Sequence, residues 1–181
     1  MTPALKEWSA AVHALLDGRQ RVLLRKGGIH EKRFEVNAEE FLLFPTVAHS
    51  HAERVRPEHR DLVTAAAADS TDEAVLVRAA AKVVDVVAVQ RPERLGEIAD
   101  LHIWTEESVR TDRLDFRPKH RLAVLVVEVR ALERPVRLPR SPDFGGCKSW
   151  VDLPVREIRG APAHPSAELA AVAARVRATV A

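Results

Sequence analysis

The apolar run Val22-Leu23-Leu24 stops at Arg25-Lys26-Gly27-Gly28, residue types and a spacing that suit an anion cradle. Glycines let backbone N–H groups come close to an oxyanion, and an arginine beside them offers a two-pronged fork for phosphate or carboxylate. A plain turn with solvated charges is the competing reading. The sequence contains neither a Walker pattern nor G-x-G-x-x-G, so nucleotide loops of those kinds have no support. Further on, Phe41-Leu42-Leu43-Phe44-Pro45-Thr46 leads into His49-Ser50-His51. On a strand, His49 and His51 share a face and suit one metal ion, with His102 or Glu39 as a third ligand. On a helix the two rings diverge by about 200°, and the metal set falls apart. Without a metal, one histidine hydrogen-bonds a loop and the other is exposed.

Three weaker constellations compete. Glu128-Val129-Arg130 imitates the acid-x-base half of a divalent-metal nuclease, with Glu39 or Asp100 as the second acid, although an arginine stands where such sites carry lysine. Trp104 near His102 and Trp150 near Lys148 place aromatic rings beside basic groups, as a platform for a single-stranded base requires; Trp8 stands apart. Their alternative is core packing with the indole N–H satisfied. Cys147, between Gly146 and Lys148, has no base partner and reads as structural.

Charge is nearly balanced, 28 basic against 26 acidic residues, so only local patches can attract a polyanion. Arg19, Arg21, Arg25, Lys26, Lys32 and Arg33 face a single acid, Glu31, in one stretch. Between Arg110 and Arg140 there are nine basic residues and four acids. A single cysteine rules out an intramolecular disulfide and a cysteine zinc cluster. No apolar run is long enough to span a membrane and the first residues lack a signal-peptide core, so the expectation is a cytoplasmic protein with no membrane contact. The Ala, Arg and Val bias suggests bacterial coding.

These residues need a scaffold. Thr2-Pro3 followed by Leu5, Trp8, Val12, Leu15 and Leu16 predicts a first helix closed by Gly18. Residues 20–26 predict a strand, and 34–44 a second strand paired with it. A helix is expected from Glu58 to the Ala65–Ala68 run, β structure from Ala74 to Val89, and short helices after Pro92 and after a Thr105 cap. Leu122–Arg130 is the clearest strand and apolar enough to be central. A last strand follows Trp150, and Leu169, Val172, Val176 and Val180 make a terminal amphipathic helix.

Ala4-Leu5-Lys6-Glu7-Trp8, Leu23–Ile29, Phe41–Thr46 with His49, His102-Ile103-Trp104 and Gly146–Trp150 resemble the landmarks of a bacterial family catalogued only as a domain of unknown function. That resemblance runs to about Leu153 and implies no activity. The opening Gly18-Arg19-Gln20-Arg21-Val22-Leu23-Leu24-Arg25 is similar to that of ASCH domains in the PUA-like superfamily, whose signature is G-x-K-x-x-E-x-R. Gly18 and Arg25 match it, while Gln20 and Leu23 depart from its lysine and glutamate. This resemblance implies a PUA-like barrel with RNA or a modified base held beside Arg25.

The expected architecture is α+β: one domain over residues 1–163, a small mixed or antiparallel barrel-like sheet with flanking terminal helices, and a C-terminal amphipathic helix over 164–181 packed on it. The expected function is binding of nucleic acid, RNA or DNA, or of a nucleotide-like anion. Arg25, Lys26, Gly27 and Gly28 would hold phosphate, with Thr46, His49, Trp104 and Lys148 around them. No cofactor is expected, and the sequence assigns no catalytic residues and leaves open whether the protein is an enzyme. Two rivals remain: a metal-dependent hydrolase or nuclease built on His49, His51 and His102, and an interaction module or homo-oligomer docking through the C-terminal helix.

Overall fold

The computed structural model describes residues 1–27, 34–156 and 159–181. Its centre is a pair of long antiparallel strands, β4 (Ala74–Ala88) and β5 (Leu122–Pro139). Both read as Val- and Leu-rich segments, and β5 is buried on both faces from Leu122 to Val127, as the unbroken apolar run requires. Register shifts between Val77 and Ala79 and between Val83 and Asp85 interrupt the ladder. Such bulges let strands this long bend around a core.

β2 (Val22–Lys26) pairs with β5, from Val22 opposite Val126 to Lys26 opposite Leu122. β3 (Glu40–Thr46) pairs with β4 and lies parallel to β1 (Thr2–Trp8), which pairs on its other side with β6 (Trp150–Leu153). The order is therefore β2-β5-β4-β3-β1-β6, with β7 (Arg159–Pro162) also on β5. The fold is α+β around one mixed seven-stranded sheet, which does not close into a barrel, since β2 and β6 end the order without pairing.

Two expectations are corrected. The predicted first helix is split: Thr2–Trp8 is strand, and only Ser9–Leu16 is helix α1. Ala4 and Leu5, adjacent residues on opposite faces, are both fully buried, so packing between β3 and β6 overrides a helix-compatible spacing. The segment after Phe34 does not pair with β2. Its strand starts at Glu40 and joins β1 and β4, while β2 takes the edge of the more apolar β5.

Helices cover the sheet. α1 is tied down by Asp69, a fully buried carboxylate that receives His13 Nε2 at 2.6 Å and Arg78 Nε at 2.9 Å. α2 (His51–Arg54) and α3 (Asp61–Ala66) follow β3, and a 3-10 segment, Pro92–Leu101, follows β4. α4 (Glu106–Val109) opens on the expected cap, with Thr105 Oγ1 accepting from Ser108 N at 3.1 Å. It runs into a π-helical turn, Arg110–Asp115. Thr105→Ala is expected to cost about 1 kcal/mol, seen as a lower urea midpoint with unchanged slope; an unmoved midpoint would remove the cap's role.

α5 (Ser166–Val180) buries Leu169, Val172, Val176 and Val180 in one core with Leu24, Val124 and Ile98. The stripe expected to dock a partner is thus spent inside the molecule, where Arg175 pairs with Asp100 and Arg177 with Asp85 to hold the outer face. Among the described residues, no helix is long and apolar enough to cross a membrane.

Candidate nucleic-acid interface

The end of β1 delivers Glu7 and Trp8 to one place, because the parallel register sets Glu7 beside Pro45 and Trp8 beside Thr46. Glu7 is 3% exposed. Its Oε1 accepts from Trp8 N at 2.8 Å, and its Oε2 from Arg25 Nη1 at 3.3 Å. Arg25 also donates to Lys6 O at 2.9 Å and lies over the Phe34 ring. Thr46 Oγ1 donates to Glu7 O at 3.2 Å. Residues around Arg25, Phe34 and Thr46 thereby gather at the end of β1, with Arg25 on the buried carboxylate.

Trp8 is the hub of the adjoining recess. His51 stacks on it at 3.8 Å between centroids, with planes 14° apart, and Trp104 meets it edge to face at 4.8 Å. The guanidinium carbons of Arg54 and Arg113 lie 5.6 and 5.9 Å from its centroid, within cation–π range. Arg54 Nε pairs with Asp112 at 2.6 Å. Arg113 differs, because its Nε is buried and finds no acceptor among the described residues. Burial lowers its pKa, opposed by Glu7 and reinforced by Arg25, yet a guanidinium stays charged in any protein setting. Three arginines therefore face two acids, and one positive charge is in surplus.

The two buried histidines are neutral for a physical reason. His51 is pushed down to about 4 by burial and then by the Arg54 charge, and its Nδ1 accepts from Ala48 N at 3.4 Å. His102 is pushed down to about 3 by burial and then by Arg56, and its Nδ1 accepts from Trp104 N at 3.1 Å.

Outside the recess, the end of β2 and Gly27 moor a basic loop. Lys26 Nζ donates to Leu114 O at 3.1 Å and to Phe116 O. His120 Nδ1 lies 3.4 Å from Gly27 O. Burial lowers the Lys26 pKa. The loop so held carries Arg117, Lys119 and Arg121, and displays Phe116 56% exposed, with Arg117 over its ring at 4.9 Å. Arg117 sits at φ 50°, a left-handed conformation that a non-glycine residue adopts at a cost, so the loop's shape is held by its anchors.

Of the residues singled out from sequence, Arg25, Thr46 and Trp104 converge on Glu7 and Trp8, and Lys26 and Gly27 anchor the loop. Gly28 lies outside the described residues. His49 is exposed on the turn before α2, while its neighbour His51 is the one that meets Trp8. Lys148 stands elsewhere, donating to Asp143 O at 3.1 Å close to Lys6, whose Nζ binds Gly146 O at 3.0 Å. Its cavity, about 470 Å³ and lined also by Phe144 and Trp150, is separate from the Trp8 recess. Trp150 is bound into the core region, its indole N–H donating to Glu35 O at 3.2 Å and its ring meeting Phe41 edge to face.

The strand geometry needed by the His49/His51 pair is not adopted, since a turn precedes α2. Among the described residues no group of three His, Cys, Asp or Glu side chains is placed to hold a metal. Glu128 spends its carboxylate on Arg130 at 2.8 Å. Sequence reasoning missed Glu7, Arg54, Arg113 and Phe116. Phe116 had a signal, a lone aromatic inside the Arg110–Arg121 basic stretch; Glu7 looked like an exposed helix acid until β1 buried it.

The family model described as Domain of unknown function (DUF1802) matches residues 4–175. The chain belongs to this family. Residues 4–175 include β1, the Arg25–Gly27 segment, the basic loop and most of α5, so both parts of the candidate site lie inside the DUF1802 domain. No curated protein matches the chain. Crystal structures of ASCH from Zymomonas mobilis resemble this DUF1802 chain at 14% identity over 83% of it and 86% of that protein, with a TM-score of 0.47. One point variant gives 15% identity, 83% and 88% coverage and a TM-score of 0.48. A second variant gives 13% identity, 74% and 72% coverage and a TM-score of 0.47.

Proposed function

We propose that the Phe116–Arg121 loop binds single-stranded nucleic acid. The observation that carries this is Phe116 itself, an aromatic ring held in solvent on a loop rich in arginine and lysine and moored by Lys26. Sequence-tolerant binding of single strands combines aromatic faces, on which bases stack, with cations that track the phosphates. Phe116 supplies the face, and Arg117, Lys119 and Arg121 supply the cations. Arg113, at the loop's root, adds its surplus positive charge to the field of the loop from a recess of only about 10 Å³, which is too small to admit a phosphate.

In this reading Lys26 and Gly27 act as positioning groups, since their polar atoms are engaged by the loop backbone and by His120. The phosphate contacts belong to the loop they hold. Titrating a fluorescein-labelled oligouridylate and following anisotropy tests the proposal. Phe116→Ala is expected to weaken binding by about 1–3 kcal/mol, or roughly 5- to 150-fold. Replacing Arg117, Lys119 and Arg121 together by glutamine is expected to flatten the salt dependence by about 2 logarithmic units per decade of salt. An oligonucleotide bound equally well by both variants would sink it, as would no binding at low salt.

A further inference from the structure

Trp104 and Val109 have a second side. Besides the Trp8 recess they line another cavity, of about 390 Å³, together with Leu95 and His102. Its volume falls in the range of small-molecule sites. Leu95, Trp104 and Val109 are each at most 7% exposed, so the walls are apolar and held in place by the core.

The polar chemistry comes down to one atom. His102 is 3% exposed, and its Nδ1 is occupied by the Trp104 N–H. A neutral ring with its lone pair committed at Nδ1 carries its proton on Nε2. That Nε2–H meets no acceptor among the described residues and is not sealed from solvent, whereas the sealed unpartnered atoms are elsewhere, in His59, Arg91, Arg113 and His164. His102 lines the cavity, and this fixed, uncharged donor is the unengaged polar atom of its ring among the described residues.

The charges around the mouth do not favour an ion. Arg56 is spent on Ala99 O, His102 O and Trp104 O at 2.6–3.1 Å and on Glu58. Arg110 pairs with Asp115 at 3.3 Å, while the exposed carboxylates of Glu93 and Glu106 stand at the rim. An anion would meet those acids, and a cation would leave the Nε2–H unpaired at a cost of about 1–3 kcal/mol. We propose that this cavity binds a small uncharged heteroaromatic ring through a carbonyl oxygen that accepts from His102 Nε2–H.

The test uses the full chain, the imidazole resonances of His102 in NMR, and four probes: nicotinamide and uracil, which carry the carbonyl, indole, which carries none, and benzoate, which is charged. Ligands this small are held at about 1 mM or weaker. Saturable shifts of the Nε2–H signal with nicotinamide or uracil, at least tenfold tighter than with indole or benzoate, are expected. Gly96→Leu supplies the steric control. Gly96 lines the cavity from an exposed position, a Cβ there meets nothing within 4 Å and the residue lies outside the left-handed region, so a leucine is accommodated at the cavity mouth without a clash. It is expected to weaken binding at least tenfold, with Gly96→Ala between the two. No saturable shift with either carbonyl probe, equal binding of benzoate or indole, or full affinity in Gly96→Leu would each overturn the proposal. RNA binding at the Phe116 loop is read separately by anisotropy, so either reading can fail alone.

Discussion

Taking the pH from 6.5 to 4 is expected to remove roughly 3 kcal/mol of stability for each of two histidines, His51 and His102. Both are at most 4% exposed and neutral in the fold, with pKa values lowered to about 4 and about 3. The unfolded chain titrates both near 6.5, so below that pH it binds protons the folded protein refuses. Stability therefore rises with pH across this window and falls as pH drops, by up to ~1.4 kcal/mol per pH unit for each ring. The carboxylates held low by arginines, such as Glu97 by Arg94 and Glu168 by Arg21, also lose their contribution on acidification, but only as pH falls below their unfolded value of 4.5. Between 6.5 and 5 the slope belongs to histidines. Urea unfolding at half-unit pH steps measures it, and His51→Phe, which keeps a ring on Trp8, is expected to reduce the slope by one proton's share. A flat stability from 6.5 to 5 would show that the two rings accept protons in the folded state.

Glu7→Ala is the most damaging single substitution expected at the candidate site, at about 3–5 kcal/mol. The carboxylate is the buried counter-charge of Arg25, accepts from Trp8 N, and opposes the lowering of the Arg113 pKa. Deleting it leaves one acid, Asp112, against Arg25, Arg54 and Arg113, with the Arg25 side chain only 14% exposed. Breaking one side of a buried pair is costly because the remaining charge cannot regain water. Glu7→Gln keeps an acceptor for Trp8 N and is expected to recover part of the loss. A fall of the urea-derived stability by less than about 1 kcal/mol in Glu7→Ala would mean that the arginines relax to solvent and that the recess is no charged core.

Much of the scaffold was legible because local pattern and tertiary demand agree. The apolar run at Leu122–Val127 is buried on both faces of the sheet, Val75–Val87 became β4 in spite of its three alanines, Thr105 caps α4, and the Leu169–Val180 stripe is the buried face of α5. Membership of a domain-of-unknown-function family, expected from the sequence, is shown by the family model over residues 4–175. The same reasoning erred where one pattern serves two structures. Leu5, Trp8, Val12 and Leu15 fit a helix by spacing, and only the presence of β3 and β6 on either side makes the first half a strand. The α5 stripe has the look of a docking face until its partners, Leu24, Ile98 and Val124, are seen to come from other parts of the chain.

For the site, sequence alone determined which residue types are present and where local chemistry is dense: the Arg25–Gly28 segment, the tryptophans, the His49/His51 pair and the basic stretch from Arg110. The tertiary structure decided what each does. Lys26 became a tether because a π-helical turn brings the carbonyls of Leu114 and Phe116 to its ammonium. Glu7 became a buried counter-ion because parallel pairing of β1 with β3 carries it to Arg25 and Thr46. Residues 7, 25, 46, 51, 104 and 113 meet only through contacts across long loops. Ion pairing, ring stacking and desolvation act over a few ångströms, and no spacing along the chain encodes which distant segments will come that close.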